Sequence, residues 1–94
     1  PKNRPHSVSN TIARRALEAV IPSDCYVAVQ DPITLDTSEP EPDLAVIRGD
    51  IRSFGDGHPG PSAVALVVEI AHTSLGRDRD WKRRMYARNG IPHY

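Results

Sequence analysis

The segment that most limits how this chain can fold is the apolar run AVALVVEI at residues 63–70, which contains one charged residue, Glu69. A nearly continuous apolar run of strand length is typical of a central strand that is covered on both faces. On a regular strand, Glu69 shares a face with Val67 and Ala65. An ionised carboxylate in such surroundings costs several kcal/mol unless a partner compensates its charge. The run therefore predicts a buried strand and a partner for Glu69.

Glu69 alone has two structural explanations: an ion pair, for example with an arginine of the last helix, or a strand end that reaches water. A second carboxylate, Asp43, begins the predicted strand 44–47 and precedes Glu69 by 26 residues. The long loop between them allows the two strands to be neighbours with both carboxylates side by side, where like charges raise one pKa or bind a cation. By itself, Asp43 would be a solvated turn carboxylate after Pro42.

Lys82 is the third candidate, 13 residues after Glu69 on the last predicted helix. If this helix packs on the sheet through Trp81 and Met85, the ammonium group turns back toward the strand end. There it can stabilise negative charge on a phosphate or position a water. The alternative is a surface pair with Asp78, four residues earlier on the helix. Sequence position does not separate the two.

The other predicted elements follow from apolar spacing and turn residues. Apolar residues recur every four from Val8, and Pro22 ends that helix because the residue before proline leaves the α region. Thr73 or Ser74 caps the last helix, and Gly90 closes it. The predicted order is a helix over 8–21, strands over 25–30, 33–36, 44–47 and 63–70, and a helix over 75–88, with an irregular loop over 50–62. This order predicts an α+β or α/β layer with a small sheet.

Length and composition restrict the class of protein. The chain has 94 residues, and we expect 1–94 to be a single domain. Because it begins at Pro1 and stops at Tyr94 directly after a turn, we expect it to be cut at both ends, and its thin core supports this. Cys25 is the only cysteine, which excludes an internal disulfide and a cysteine-based zinc site and favours a reducing, cytoplasmic setting. No segment approaches the roughly 20 apolar residues of a membrane helix, so no membrane partner is predicted.

The formal net charge is zero, with 12 basic and 12 acidic residues, which excludes a uniformly basic protein that coats DNA through counterion release. The charges are nevertheless unevenly placed. Residues 31–50 hold six acids and one base, whereas residues 77–88 hold six bases and two acids. A basic helix beside an acidic edge suits a polyanionic substrate whose cleavage needs a cation. A solvated helix face with internal ion pairs is the alternative.

The remaining polar residues add one weak candidate. The four histidines have no metal-ligand spacing, and His72, three residues after Glu69, is a candidate for proton transfer. Ser74 has no paired base in the sequence, so a helix cap is the better interpretation. No glycine pattern matches a phosphate-binding loop.

Four motifs occur in order along the chain: EPDLAV at 41–46, LVVEI at 66–70, SLGRDRDWK at 74–82 and YARNGIPHY at 86–94. Together they resemble the Uma-two family of restriction endonucleases, within the PD-(D/E)XK nuclease superfamily, over nearly the whole chain. The resemblance implies a restriction-endonuclease-like core, in which a small mixed sheet is flanked by helices. It also implies further strands after Tyr94.

The resemblance implies an active site as well. The aspartate after the motif proline is Asp43 and the acid of the next strand is Glu69. These would bind Mg²⁺ or Mn²⁺, with the backbone carbonyl of Ile70 as a further ligand. The superfamily's usual lysine stands two residues after that acid, where this chain has Ala71. The family resemblance assigns its charge to Lys82 on the following helix.

Two hypotheses follow. The first is a metal-dependent endonuclease that hydrolyses DNA phosphodiester bonds, with Asp43 and Glu69 as metal ligands and Lys82 stabilising the charge of the transition state. DNA is its expected substrate, and a homodimer is the form that would cut both strands. The second is a catalytically inactive nuclease-fold module that binds nucleic acid or protein, with Glu69 merely paired to Arg or Lys. Ala71 keeps the second hypothesis open.

Overall fold

The computed structural model describes residues 4–55, 57–70 and 76–94. Its helices and strands are α1 (Arg4–Glu18), β1 (Cys25–Val29), β2 (Leu44–Arg48), β3 (Val64–Val68) and α2 (Gly76–Arg88). The strands form one antiparallel sheet in the order β1-β2-β3. Across the described residues, the protein is therefore a small α/β structure with a three-stranded sheet and two helices. This agrees with the predicted class in its coarse form, while the restriction-endonuclease-like core stays a prediction.

In the three-stranded sheet of the described residues, β2 lies between β1 and β3. Residues 44–47 of β2 are all buried, whereas in β3 only Val64 and Val67 are. On the outer side of β3, the Val67 N–H donates to the carbonyl of His93 at 3.0 Å. The apolar composition of 63–70 indicated burial in part, since the other residues of β3 are half-buried. It could not indicate strand order, which depends on pairing between segments that are distant in the chain.

A bulge in β3 changes which of its residues share a face. Leu66 and Val64 pair with consecutive residues of β2, so Ala65 is the extra residue between them. A bulge of this kind interrupts the regular alternation of a strand. Val64 and Val67 are therefore both fully buried, and the predicted common face of Val67 and Glu69 does not include Ala65.

The main core cluster lies against the face of the sheet that carries Ala45 and Ile47, while Leu44 and Val46 are buried on the opposite face. From α2 it takes Met85, 3% exposed, and Tyr86, 0% exposed, and from the chain behind the helix it takes Ile91. Trp81 was predicted to pack beside Met85, but it is 55% exposed. This part of the prediction is wrong because α2 meets the core through its last turns, one turn beyond Trp81. The other core residues are Ala28, Ile33, Leu35, Ala45, Ile47, Val64 and Val67.

Residues 33–36 do not form the predicted strand. The Ile33 N–H donates to the Pro40 carbonyl at 3.0 Å, and the Leu35 N–H donates to the Ser38 carbonyl at 2.9 Å. These bonds close a local turn instead of joining a neighbouring strand. Ile33 and Leu35 are nevertheless buried, so the alternation correctly indicated one covered side.

The two helices are shifted slightly from their predicted bounds. α1 begins at Arg4 and ends at Glu18, because the chain turns ahead of Pro22. α2 ends at Arg88, and Gly90 follows with a φ of +78°, the left-handed conformation that glycine adopts at helix ends. Neither described helix is long and apolar enough to span a bilayer.

The loop predicted at 50–62 is irregular only in part. It contains two short 3₁₀ turns, Ile51–Phe54 and Pro61–Ala63. The first begins at Asp50, whose carboxylate accepts the backbone N–H of Arg52 at 2.8 Å, as an N-cap residue does. The predicted helix caps Thr73 and Ser74 and the candidate His72 lie outside the described residues.

Candidate active site

Asp43 lies where β2 begins and β3 ends. Its Oδ2 accepts a hydrogen bond from the backbone N–H of Ile70 at 2.7 Å. Leu44 pairs with Val68 in the sheet, so this bond continues the contact between β2 and β3 past their last paired residues. Glu69 stands between Val68 and Ile70. The structure therefore brings Asp43 next to the segment that carries Glu69.

Two side chains of α2 contact the Glu69 carboxylate. Its Oε2 accepts a hydrogen bond from the Tyr86 hydroxyl at 3.0 Å, and the same oxygen lies 3.6 Å from Nζ of Lys82. Lys82 and Tyr86 are four residues apart, which places them one turn apart on the same helix face. The side chain of Glu69 is 17% exposed and that of Lys82 is 32% exposed, so solvent reaches the pair from one side.

The contact bears on both interpretations of Lys82 and Glu69. Lys82 reaches the strand end, as expected for a helix that turns this residue toward the sheet. The alternative partner, Asp78, lies outside the described side chains. The contact also matches the structural explanation of Glu69, an ion pair with a basic residue of the last helix, with lysine in place of the suggested arginine. The ion pair is therefore compatible with a structural role and with a catalytic one.

Tyr86 is a site residue that the sequence analysis did not single out. It is fully buried, and its ring centroid lies 5.2 Å from that of Tyr94. Burial, followed by the charge of Glu69 and the hydrogen bond to it, raises the pKa of the Tyr86 hydroxyl far above its ordinary value of 10.0. The hydroxyl therefore remains a hydrogen-bond donor at neutral pH. The sequence signal that could have identified Tyr86 was its position four residues after Lys82, on the same helix face.

An open cleft of about 340 Å³ borders the pair of Glu69 and Lys82. One wall comes from α2, and the other comes from residues 38–41, which lead into Asp43. The acidic segment and the basic helix of the sequence therefore both contribute to this cleft. Its lining is Ser38, Glu39, Pro40, Glu41, Glu69, Trp81, Lys82 and Met85.

Comparison with protein-family profiles matches the whole chain, residues 1–94, to the Uma2 family, described as "Putative restriction endonuclease". The chain belongs to the Uma2 family. Comparisons with curated proteins and with solved structures gave no match. The match to Uma2 confirms the resemblance that the four sequence motifs indicated, and it suggests a nuclease.

The Uma2 site offers oxygen ligands for a divalent cation. Asp43 and Glu69 carry carboxylates near neighbouring strand ends, and Ile70 has a backbone carbonyl in the same segment. Within 4–55, 57–70 and 76–94, no group of three or more His, Cys, Asp or Glu side chains could hold a metal ion. Mg²⁺ usually binds one or two carboxylates, with waters and substrate phosphates as its other ligands, and Mn²⁺ prefers similar oxygen donors. In chemical type, these oxygens are the donors that either ion takes.

Proposed function

We propose that this Uma2 protein is a metal-dependent endonuclease that hydrolyses the phosphodiester bonds of DNA. The supporting observation is the ion pair of Glu69 and Lys82 beside the cleft, in the segment to which Asp43 is hydrogen-bonded. Asp43 bonds to the backbone of Ile70, and Nζ of Lys82 lies 3.6 Å from Oε2 of Glu69. Phosphodiester hydrolysis needs a bound cation and stabilisation of charge on the phosphate, and two carboxylates with an ammonium group beside a cleft can supply both.

Asp43 and Glu69 would hold Mg²⁺ or Mn²⁺ together with the carbonyl of Ile70. When bound, the cation supplies positive charge at the phosphate and lowers the pKa of water. Tyr86 orients the Glu69 carboxylate, because its buried hydroxyl donates to Oε2 at 3.0 Å. The orientation of a ligand by such a hydrogen bond commonly affects metal affinity by about 10–100-fold.

Lys82 supplies positive charge beside the phosphate in this proposal. Its side chain is 32% exposed next to the cleft, so the ammonium group can reach a substrate while it remains near Glu69. In a partly desolvated site, such a charge stabilises the negative charge that develops on phosphate oxygens. Lys82, on α2, thus has the role of the superfamily's usual lysine. The position of that lysine is occupied by Ala71 in this chain.

The charges on α2 favour DNA as the substrate. Arg83 and Arg84 are exposed directly after Lys82, which gives α2 further positive charge on its surface. Exposed arginines bind the phosphate backbone without reading sequence and position the strand over a site.

A plasmid cleavage assay tests the proposal. The protein is incubated with supercoiled plasmid and Mg²⁺ or Mn²⁺, and nicked and linear products are measured on a gel. We expect cleavage by the wild type and none by Asp43→Ala or Glu69→Ala. Glu18→Gln, which changes an exposed acid on α1, should cleave like the wild type. Equal nicking by all four proteins would overturn the assignment of both carboxylates.

One observation favours a second function, a nuclease-fold module that binds nucleic acid or protein without cleavage. Glu69 already has a charge partner in Lys82 and a hydrogen bond from Tyr86, so its partial burial is compensated without a cation. Calorimetric titration with Mn²⁺ separates the two functions. Binding heat that disappears in Glu69→Gln supports the nuclease. Absence of heat, with nucleic-acid binding unchanged in Glu69→Gln, supports the module.

A further inference from the structure

Trp81 is a large aromatic side chain that lines the cleft beside Glu69 and Lys82 and remains 55% exposed. We propose that its indole ring stacks on an unpaired nucleobase of the substrate, so that the protein prefers single-stranded or locally unpaired DNA over a continuous duplex. The inference rests on the proposed function, because it names the form of DNA that occupies the same cleft.

The position of Trp81 on α2 is the first argument. One turn later, Met85 is 3% exposed and belongs to the core, so α2 is anchored beside Trp81 while the indole stays at the cleft. Bases stack on exposed aromatic rings of this kind regardless of sequence, since every base has a π-face. An indole face held beside a catalytic pair is therefore a suitable platform for one base.

The charge of the opposite wall is the second argument. Glu39 and Glu41 are exposed there, and their carboxylates repel a phosphate but can accept hydrogen bonds from the amino group of a base. Arg84 is exposed and lies three residues after Trp81, on the same side of the helix, and it attracts the phosphates instead. This distribution of charge favours a base inside the cleft and the backbone along α2.

The size of the cleft is the third argument. Its volume of about 340 Å³ lies near the lower end of small-molecule sites, which suits one nucleotide. A base inside a duplex is stacked on both faces, so it can meet an indole ring only after it leaves the stack. Single strands, loops and mismatched positions present such bases at the lowest cost.

Trp81 is the only tryptophan of the chain, so its fluorescence reports directly on this contact. The wild type is titrated in EDTA, without turnover, with a 12-nucleotide single strand and with the same sequence as a blunt duplex. Stacking should quench the fluorescence with the single strand and leave it nearly unchanged with the duplex.

Binding of a fluorophore-labelled strand to substituted proteins, followed by anisotropy, provides the second measurement. Trp81→Leu should bind the single strand about tenfold more weakly, as expected for the loss of one stacked base, with duplex binding unaltered. Trp81→Phe should retain most of the affinity. Ile51→Ala, which changes another exposed apolar residue, 67% exposed, is the matched control.

Absence of quenching, or an equal loss of single-strand and duplex binding in Trp81→Leu, would overturn the stacking proposal. Circular dichroism of Trp81→Leu checks that the exposed substitution leaves the fold intact. If Trp81→Leu does not fold, Trp81→Phe provides the comparison of single-strand with duplex binding. Because these measurements exclude turnover, they are independent of cleavage. Quenching by the single strand together with an inactive wild type would refute the nuclease and leave the base-stacking site standing.

Discussion

The Asp43 carboxylate accepts the backbone N–H of Ile70 at 2.7 Å, just beyond the last pair of the β2–β3 ladder, Leu44 with Val68. In this position a side-chain oxygen satisfies an N–H as a backbone carbonyl does within the sheet. Asp43 therefore contributes to the structure in addition to its proposed role as a metal ligand. Substitution can separate the two contributions.

Asp43→Ala should lower the free energy of unfolding by about 1–3 kcal/mol, because it leaves the partly buried N–H of Ile70 without its acceptor. Asp43→Asn retains an oxygen at the same position and should lose less. Urea denaturation measures both. If the alanine variant matched the wild type in stability, the hydrogen bond would have no structural value. Asp43→Asn should still lose Mn²⁺ binding.

Tyr86→Phe removes the hydroxyl that donates to Glu69 and should cost about 1.5–3 kcal/mol, the range for hydrogen bonds to charged groups. The measurement is a double-mutant cycle with Glu69→Ala, which removes the acceptor, followed by urea denaturation. We expect a coupling energy of about 0.5–3 kcal/mol between the two positions. Additive effects would show that the 3.0 Å contact does not stabilise the protein.

The raised pKa of Tyr86 predicts alkaline instability. The unfolded chain releases the proton near the ordinary value of 10.0, whereas the folded protein retains it to a higher pH. The stabilisation is therefore fully present below pH 10.0 and is lost as the pH rises from there through the folded-state pKa. Tyr86→Phe should show a shallower decline of unfolding free energy above pH 10.0. Some decline should remain, because burial also raises the pKa of Tyr26.

Lys82→Met should reduce the rate of plasmid cleavage by roughly 10²–10³-fold, the usual effect of removing one group that stabilises transition-state charge. Lys82→Arg keeps the charge and should retain part of the rate. Arg15→Met, on the exposed surface of α1, serves as the control for loss of a positive charge. Cleavage by Lys82→Met at the rate of the Arg15→Met control would remove Lys82 from the mechanism.

Local sequence patterns predicted correctly which sides of some segments are buried and where a helix ends. Gly90 after the last helical turn indicated the end of α2, and alternation indicated β1 and the buried side of Ile33 and Leu35. The same alternation failed to identify the hydrogen-bond partners of 33–36. The N–H groups of Ile33 and Leu35 bond within a local turn, whereas that of Thr34 donates to the carbonyl of Pro59. Alternating polarity reports which side of an extended segment is covered and does not report what its backbone bonds to.

The candidate site was predictable to a similar extent. Glu69 and Asp43 were identifiable because carboxylates beside apolar strands need compensation. Trp81 was misassigned to the core because helical spacing shows which residues share a face but not where along the helix the sheet ends. Tyr86 was overlooked because a tyrosine at a core position looks the same in sequence whether or not its hydroxyl has a partner.

The amino-acid sequence established the kinds of groups available to this protein, the segments that must be buried and membership of the Uma2 family. The contacts among those groups came from tertiary packing. Tyr86 and Lys82 contact one oxygen of Glu69, and Tyr86 is 17 residues from Glu69 in the chain. Asp43 contacts the backbone of Ile70, which is 27 residues away. Such contacts depend on how whole strands and a helix are placed against one another. Local periodicity carries no information about that placement, because it is set by the complementary packing of surfaces that are far apart in the chain.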